Sequence, residues 1–198
     1  DLDPRLVIRR LSAKQTADLR KQTLVGEDEL GSYLAEFQEL AGQKAFMNGV
    51  GNYALLRGVK TNLYKAFLVT GWRMLRSEGA GGMFHQAGIF DDPKGGGLRA
   101  AIYPRLRLAA LCKNQLKLFE GVHHERPYCF TVWAGSSGPV QFRTIANLFH
   151  PRTLRASEDH DGLGEVPAIK TPEGNWDLRG HRSRIVPVDE GTLALFAK

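Results

Sequence analysis

Apolar residues along the chain change their spacing as it proceeds, and the changes mark out the elements. In SAKQTADLRKQTL and EDELGSYLAEFQELAGQKAF they recur at three- and four-residue intervals, with Leu34, Phe37 and Leu40 in one stripe. That period predicts two helices. The pair Gly49 and Gly51 in NGVGNY interrupts it, and Thr61 is placed to cap the helix that follows. In that helix Leu63, Ala66, Phe67, Thr70, Gly71, Met74 and Leu75 share one side, while Lys65, Arg73 and Arg76 fall elsewhere. The apolar side is predicted to pack on a sheet, with Gly79 as the stop.

Beyond Gly79 the apolar runs shorten. GMFHQAGIF is too short and too glycine-punctuated for a helix, and its length matches a strand of a parallel sheet covered on both faces. A loop, DDPKGGG, leads to LRAAIYPRL, read as a short helix ending near Pro104, and RLRLAALC then runs as a strand. YCFTVW, residues 128–133, is dense in aromatic and β-branched side chains and ends at the turn AGSSGP, after which VQFRTIANLF returns as another strand. Residues 150–182, with Pro151, Pro167 and Pro172, read as loop-rich, and DEGTLALFAK closes the chain as a helix. Helices alternating with strands give the α/β class. The chain contains no internal repeats and no low-complexity tracts.

Composition adds three constraints. With 198 residues, 42% of them hydrophobic, the chain can bury one sizeable core. Its net charge of +6 makes an anionic partner plausible. No stretch approaches the roughly 20 apolar residues of a membrane span, and DLDPRLVIRR lacks the apolar segment of a signal peptide, so the reading is cytoplasmic with no membrane partner. A chain that begins at Asp1 reads as a processed product or an excised piece of something longer. Cys112 and Cys129 sit in or beside apolar runs without a CxxC spacing and read as reduced core thiols.

Candidate chemistry is sparse. His123, His124 and Glu125 are adjacent, so on an extended chain they point to opposite faces, and no further ligand lies at a useful spacing for a metal. His150, His160 and Asp161 read as surface residues of a loop region. Lys94 with Gly95, Gly96 and Gly97 lacks the spacing of a phosphate-binding loop, and fits instead a loop beyond the carboxyl end of a strand, where open α/β sheets place ligands. There is no GxSxG, and Ser136 and Ser137 lie in a turn. Arg99, Arg105, Arg107, Lys113 and Lys117 form a run of cations interleaved with apolar positions, either a solvated surface or a set of phosphate contacts. YCFTVW reads as packed strand core or as a strand presenting an aromatic to a ligand, and Trp133, just before the turn, is its member least forced inward.

The run NLYKAFLVTGWRMLRSEGAGGMFHQAGIF, then LRAAIYPRL, then NQLKLFEGVHHERPYCFTVW resembles the second half of the catalytic domain of restriction-modification DNA adenine methyltransferases. The resemblance covers about residues 60 to 135. It rests on the helix motif, the glycine stop and the downstream LFEG in the same order. The family's fifth strand usually ends in a proline-containing turn where this chain reads FHQAGIFDD, and HHER replaces a short valine-rich link.

The resemblance implies the C-terminal half of a Rossmann-like, seven-stranded S-adenosylmethionine-dependent sheet, with GMFHQAGIF as fifth strand and a hairpin as sixth and seventh. It implies a helical segment over residues 1–60, the catalytic-domain half over 61–135, and the start of a target-recognition or DNA-contacting extension over 136–198. The FxGxG cofactor loop and NPPY-like tetrapeptide are absent from the chain, so the resemblance puts them in an upstream half of the same enzyme and leaves this chain inactive alone. It further implies double-stranded DNA as partner, with a base flipped out of the stack for methylation. Trp133 is the position matching the family's base-stacking aromatic, with Tyr128 and Phe130 as alternatives if HHER shifts the register by two. Arg99, Arg105, Arg107, Lys113, Arg126, Arg143 and Arg152 are the expected DNA contacts, and Arg155, Arg179, Arg182 and Arg184 extend the basic segment. The rival reading is a non-enzymatic nucleic-acid-binding or interaction module derived from such a half. A sheet cut between its fourth and fifth strands is expected to leave an unpaired edge.

Overall fold

A computed structural model of the chain describes residues 8, 9 and 11–195. Its contacts divide it into two compact units, Asp1–Asn52 and Tyr53–Lys198. In the first, α1 (Ala13–Thr23) opens with a capping box: the Ser12 hydroxyl accepts from the Gln15 amide, and the Gln15 side chain accepts from the Ser12 amide at 2.9 Å. Next comes α2 (Glu27–Asn48), whose first turn carries Glu27, Asp28 and Glu29, a favourable match to the positive end of the helix dipole. Both helices appear where the period placed them. None of the residues of α2 is buried.

A one-turn helix, α3 (Val50–Tyr53), leads to the second unit, which is built on a five-stranded mixed sheet. Its strands are β1 (Ala80–Gln86), β2 (Leu106–Lys113), β3 (Pro127–Ala134), β4 (Gln141–Leu148) and β5 (Val186–Asp189), in the spatial order β1-β3-β2-β4-β5. β3 is antiparallel to both its neighbours, pairing Ala80 with Ala134 and Gln86 with Tyr128 on one side and Ala110 with Phe130 on the other. β2 and β4 run parallel, and β5 closes the far edge antiparallel to β4. α4 (Leu63–Met74) and α5 (Gly96–Ile102) cover one face, where Leu68, Trp72 and Leu98 pack with Leu106, Ala109, Trp133 and Phe142. The other face carries a smaller cluster, Ala110, Cys112, Tyr128, Ile145 and Leu148, against which Leu154 of α6 (Arg152–Glu158) packs. The last described helix is α7 (Glu190–Leu195).

Three expectations change. GMFHQAGIF gives not a doubly covered parallel strand but an edge strand, antiparallel to β3, followed by a single 3-10 turn at Ala87–Ile89. A short apolar run encodes extension but neither the direction of its neighbour nor the cover on each face. The inward side of α4 is Lys65, Ala66, Leu68, Val69 and Trp72, whereas Leu63, Phe67 and Met74 are 59%, 63% and 80% exposed. This helix carries apolar residues on most of its circumference, so it offers two overlapping stripes, and burial of the large Trp72 indole goes with the second. Its cap is Asn62, whose side chain accepts from the Tyr64 amide, rather than Thr61. Residues 136–198 supply β4 and β5 to the same sheet.

The loop-rich stretch after β4 is fixed by buried polar bonds. Thr153 donates to the Leu178 carbonyl at 2.9 Å, and the Ser157 hydroxyl accepts from the His181 amide at 3.2 Å. Phe149 stacks on Trp176 with centroids 4.0 Å apart. Gly180 lies so close to the α6 backbone that a side chain there would collide with Ala156 and Ser157.

Candidate functional site

The carboxyl end of β1, the following turn and the first turn of α4 enclose a cleft of about 450 Å³ lined by Lys60, Asn62, Tyr64, Gln86, Asp91 and Asp92. Its floor is an ion pair. The Lys65 ammonium, 4% exposed as a residue, lies 2.7 Å from the Asp92 carboxylate and donates to the Lys60 carbonyl at 3.1 Å. That bond from Lys65 holds the Asp92 carboxyl below its ordinary range, helped by the Lys94 amide, which donates to it at 3.0 Å. The nonpolar stem of Lys65 fits the core while its charge is matched, which explains a lysine on the inner side of a helix.

Behind the cleft the sheet carries polar groups. His85 lies 2.8 Å from both the Gln86 carbonyl, through Nδ1, and the Thr131 hydroxyl, through Nε2. A carbonyl only accepts, so Nδ1 carries the proton and Nε2 accepts from Thr131. Burial pushes the His85 imidazole down and keeps it neutral. The Tyr64 ring stacks on it, centroids 5.3 Å apart and 7° from parallel, and burial followed by the nearby Cys129, Asp92 and Asp91 pushes the phenol up. Cys129, with its sulfur 3.3 Å from His85 Nδ1, is pushed up to about 12 by burial and by Cys112, and burial raises Cys112 to about 11. Both cysteines are free, buried thiols, as their setting in the sequence implies, and at neutral pH neither is a thiolate nucleophile. The cleft therefore offers a neutral phenol, two amides, the Lys60 ammonium and the Asp91 carboxylate, besides the Asp92 carboxylate already paired with Lys65, a set suited to hydrogen bonding a polar ligand.

The aromatic residues of β3 sort by alternation. Trp133 is not the ring left outward: it is 4% exposed, on the face covered by α4, and its indole N–H is buried without a partner. Small neighbours make the room it occupies, since a Cβ on Gly81 would lie 3.0 Å from its Nε1. Tyr128 and Phe130 face the other way, where Phe84 approaches Phe130 at 4.8 Å and Phe119 approaches Tyr128 at 4.9 Å between centroids. Phe84 and Phe119 are 54% and 41% exposed, so this is the aromatic surface open to a ligand. Tyr128 stands opposite Gln86, which lines the cleft. Neither Phe84 nor Phe119 was singled out by the sequence. Phe84 joins the group only through the β1–β3 register, while LFEG held the signal for Phe119.

The cations divide likewise. Arg99 donates to the carbonyls of Ile89 and, at 2.7 Å, Asp92, bracing the loop beneath the cleft. Arg105 donates to the Gly135 carbonyl and lies over the Trp72 ring. Both side chains are engaged within the fold. Arg107, Lys113, Arg126, Arg143 and Arg152 are exposed. Arg107 and Arg143 share a shallow hollow of about 490 Å³ with Gln141 and Pro187, and Arg143 pairs with Glu158 at 3.1 Å. Arg182 lines the adjoining hollow beside Arg143 and Glu158. Lys113 lies at the opposite end of β2 and pairs in register with Pro127, next to Arg126. Of the remaining arginines, Arg155 faces Asp159 at 3.8 Å, Arg179 binds Asp177, and Arg184 donates to the Arg179 carbonyl at 2.9 Å.

Among the described residues no group of three or more His, Cys, Asp or Glu side chains comes together to hold a metal, and no helix is long and apolar enough to cross a membrane. No protein-family model and no curated protein matches the chain.

Proposed function

We propose that the chain is part of an S-adenosylmethionine-dependent DNA adenine methyltransferase of a restriction-modification or phage-defence system. The observation that supports this most is the strand arrangement: β1 lies beside β3 through seven register pairs, and the β2–β3 hairpin follows it in the sheet. A fifth strand flanked by a hairpin is what the resemblance requires.

The sequence carries neither the FxGxG loop that holds the methyl donor in the family nor the NPPY-like tetrapeptide. Its own glycine cluster starts the short helix α5, with Gly95 buried against Arg99 and the Asp92 carbonyl. When bound, the donor supplies the methyl group from sites on the upstream portion. This chain's residues receive DNA. Arg107, Arg143 and Arg152, with Lys113 and Arg126, neutralise phosphates and position the duplex, which carries no sequence information in itself. An adenine extruded from the stack meets Phe84 and Phe130, with Tyr128 buried behind them as support, where stacking is worth about 1–3 kcal/mol per base. Trp133 has no part in that contact.

The product of the entire reading frame that encodes this chain, incubated with isotopically labelled methyl donor and mixed-sequence duplex DNA, should yield labelled N6-methyladenine on hydrolysis. The rival, a nucleic-acid-binding module without chemistry, draws on the fact that the exposed cations lie in this chain and the catalytic motifs do not. DNA binding without label transfer by a folded product would select it.

A further inference from the structure

In α2 the residues Leu30, Tyr33, Phe37, Leu40, Lys44 and Met47 repeat at alternating three- and four-residue steps, the a and d positions of a heptad seam. The period is that of a helix that packs along another helix over most of its length, about 33 Å for 22 residues. Yet the seam is open: Leu30, Phe37 and Leu40 are 41%, 56% and 59% exposed, and Leu34 beside them is 44% exposed. A contiguous apolar strip on a surface helix marks a binding surface.

Charge says what fits. The helix carries Glu27, Asp28, Glu29, Glu36 and Glu39 against the single cation Lys44, in a chain whose net charge is +6. Glu29 and Glu36 flank the seam at the g positions. A second copy is a poor occupant: parallel pairing would set Lys44 against Lys44 in the core and Glu29 and Glu36 against Leu34 and Ala41, and antiparallel pairing would bring the glutamates towards each other. DNA is excluded by the same carboxylates. One basic contact is already made on this surface, the Arg20 guanidinium lying 5.7 Å from the centroid of the Tyr33 ring.

We propose that α2 is a docking helix for a separate protein, which presents an amphipathic helix with an apolar seam flanked by lysine or arginine. This surface is independent of the methyltransferase reading. A coiled-coil specificity device of this kind recruits a partner by apolar burial and selects it by flanking charge.

The test titrates the chain with two heptad peptides matched to α2 in length, each with leucine at a and d, one with lysine and the other with glutamate at e and g. The lysine peptide should bind and the glutamate peptide should not. Phe37→Gln with Leu40→Gln, which leaves charge and helix propensity nearly unchanged, should weaken binding by about tenfold or more. Glu29→Gln with Glu36→Gln should narrow the difference between the peptides, and raised salt should do the same. Equal binding of both peptides, or undiminished binding by the Phe37→Gln/Leu40→Gln chain with its circular dichroism unchanged, would overturn the proposal. Concentration-dependent dimers of the chain that this variant abolishes would assign the face to a second copy instead.

Discussion

Two amphipathic helices in this chain look alike in sequence and end differently. Both α2 and α4 carry apolar residues at helical spacing, but α4 buries five residues, Lys65, Ala66, Leu68, Val69 and Trp72, while α2 buries none. The difference lies in packing: α4 packs on a sheet with Gly81 and Trp133 shaped to receive it, whereas no residue of α2 is buried. Periodicity therefore specifies that a helix forms and that it has a face, whereas the neighbour decides whether that face becomes core or interface.

The comparison breaks first, if it breaks, in the core under α4. Trp133→Ala should lower unfolding free energy by about 3–5 kcal/mol in a denaturant titration, as removal of a buried aromatic does. A loss below about 1 kcal/mol would place the indole outside the core and return it to the list of ligand contacts. Asp92→Asn, which leaves the buried Lys65 ammonium without its counter-charge, should cost about 3 kcal/mol. The pH dependence follows from the same pair. The Asp92 carboxyl is held below its unfolded value of 3.8, so its contribution is present above that pH and fades as pH falls through the folded value. In Lys65→Met the acid-side loss should shrink, measured as the difference between the two chains' stability at neutral pH and near pH 3.

Smaller effects separate the surface cations. Arg107→Ala and Arg143→Ala should each weaken duplex binding about equally for all sequences and reduce the logarithmic salt slope by about 1. Arg99→Ala should leave that slope alone and lower stability, because its guanidinium is spent on the Ile89 and Asp92 carbonyls. The smallest expected change is in α2: Phe37→Gln should shift stability by no more than about 0.5 kcal/mol, the usual range for an exposed position. A large loss there would mean that the helix face is already covered in the molecule.

Much of the second unit could be read from the chain. Apolar runs bounded by glycine and proline located β2, β3 and β4 to within a residue or two, because extension is a local property of such runs. The direction of β1 and the inner face of α4 were not local. They depend on which strand β1 pairs with and on the match between Lys65 and Asp92, 27 positions apart. The site behaved in the same way. Trp133 looked exposed from its place before a turn, and only the β1–β3 register shows Gly81 opposite it, opening the space that buries it. Phe84 entered the aromatic surface through that same register. Charge could be counted from the sequence, but Arg99 and Arg105 are separated from Arg107 and Arg143 only by the carbonyls that the loops present to them.

The claim on which the functional reading depends is that β1 is an interior strand of a larger sheet, its outward edge paired in the intact enzyme. Amide hydrogen exchange across residues 80–86, compared between this chain and the product of the entire reading frame, addresses it directly. Amides of β1 that point away from β3 should exchange rapidly in the chain alone and become protected in the longer product. Equally fast exchange in both, with β3 protected throughout, would show that no further strand joins this edge and would contradict the account.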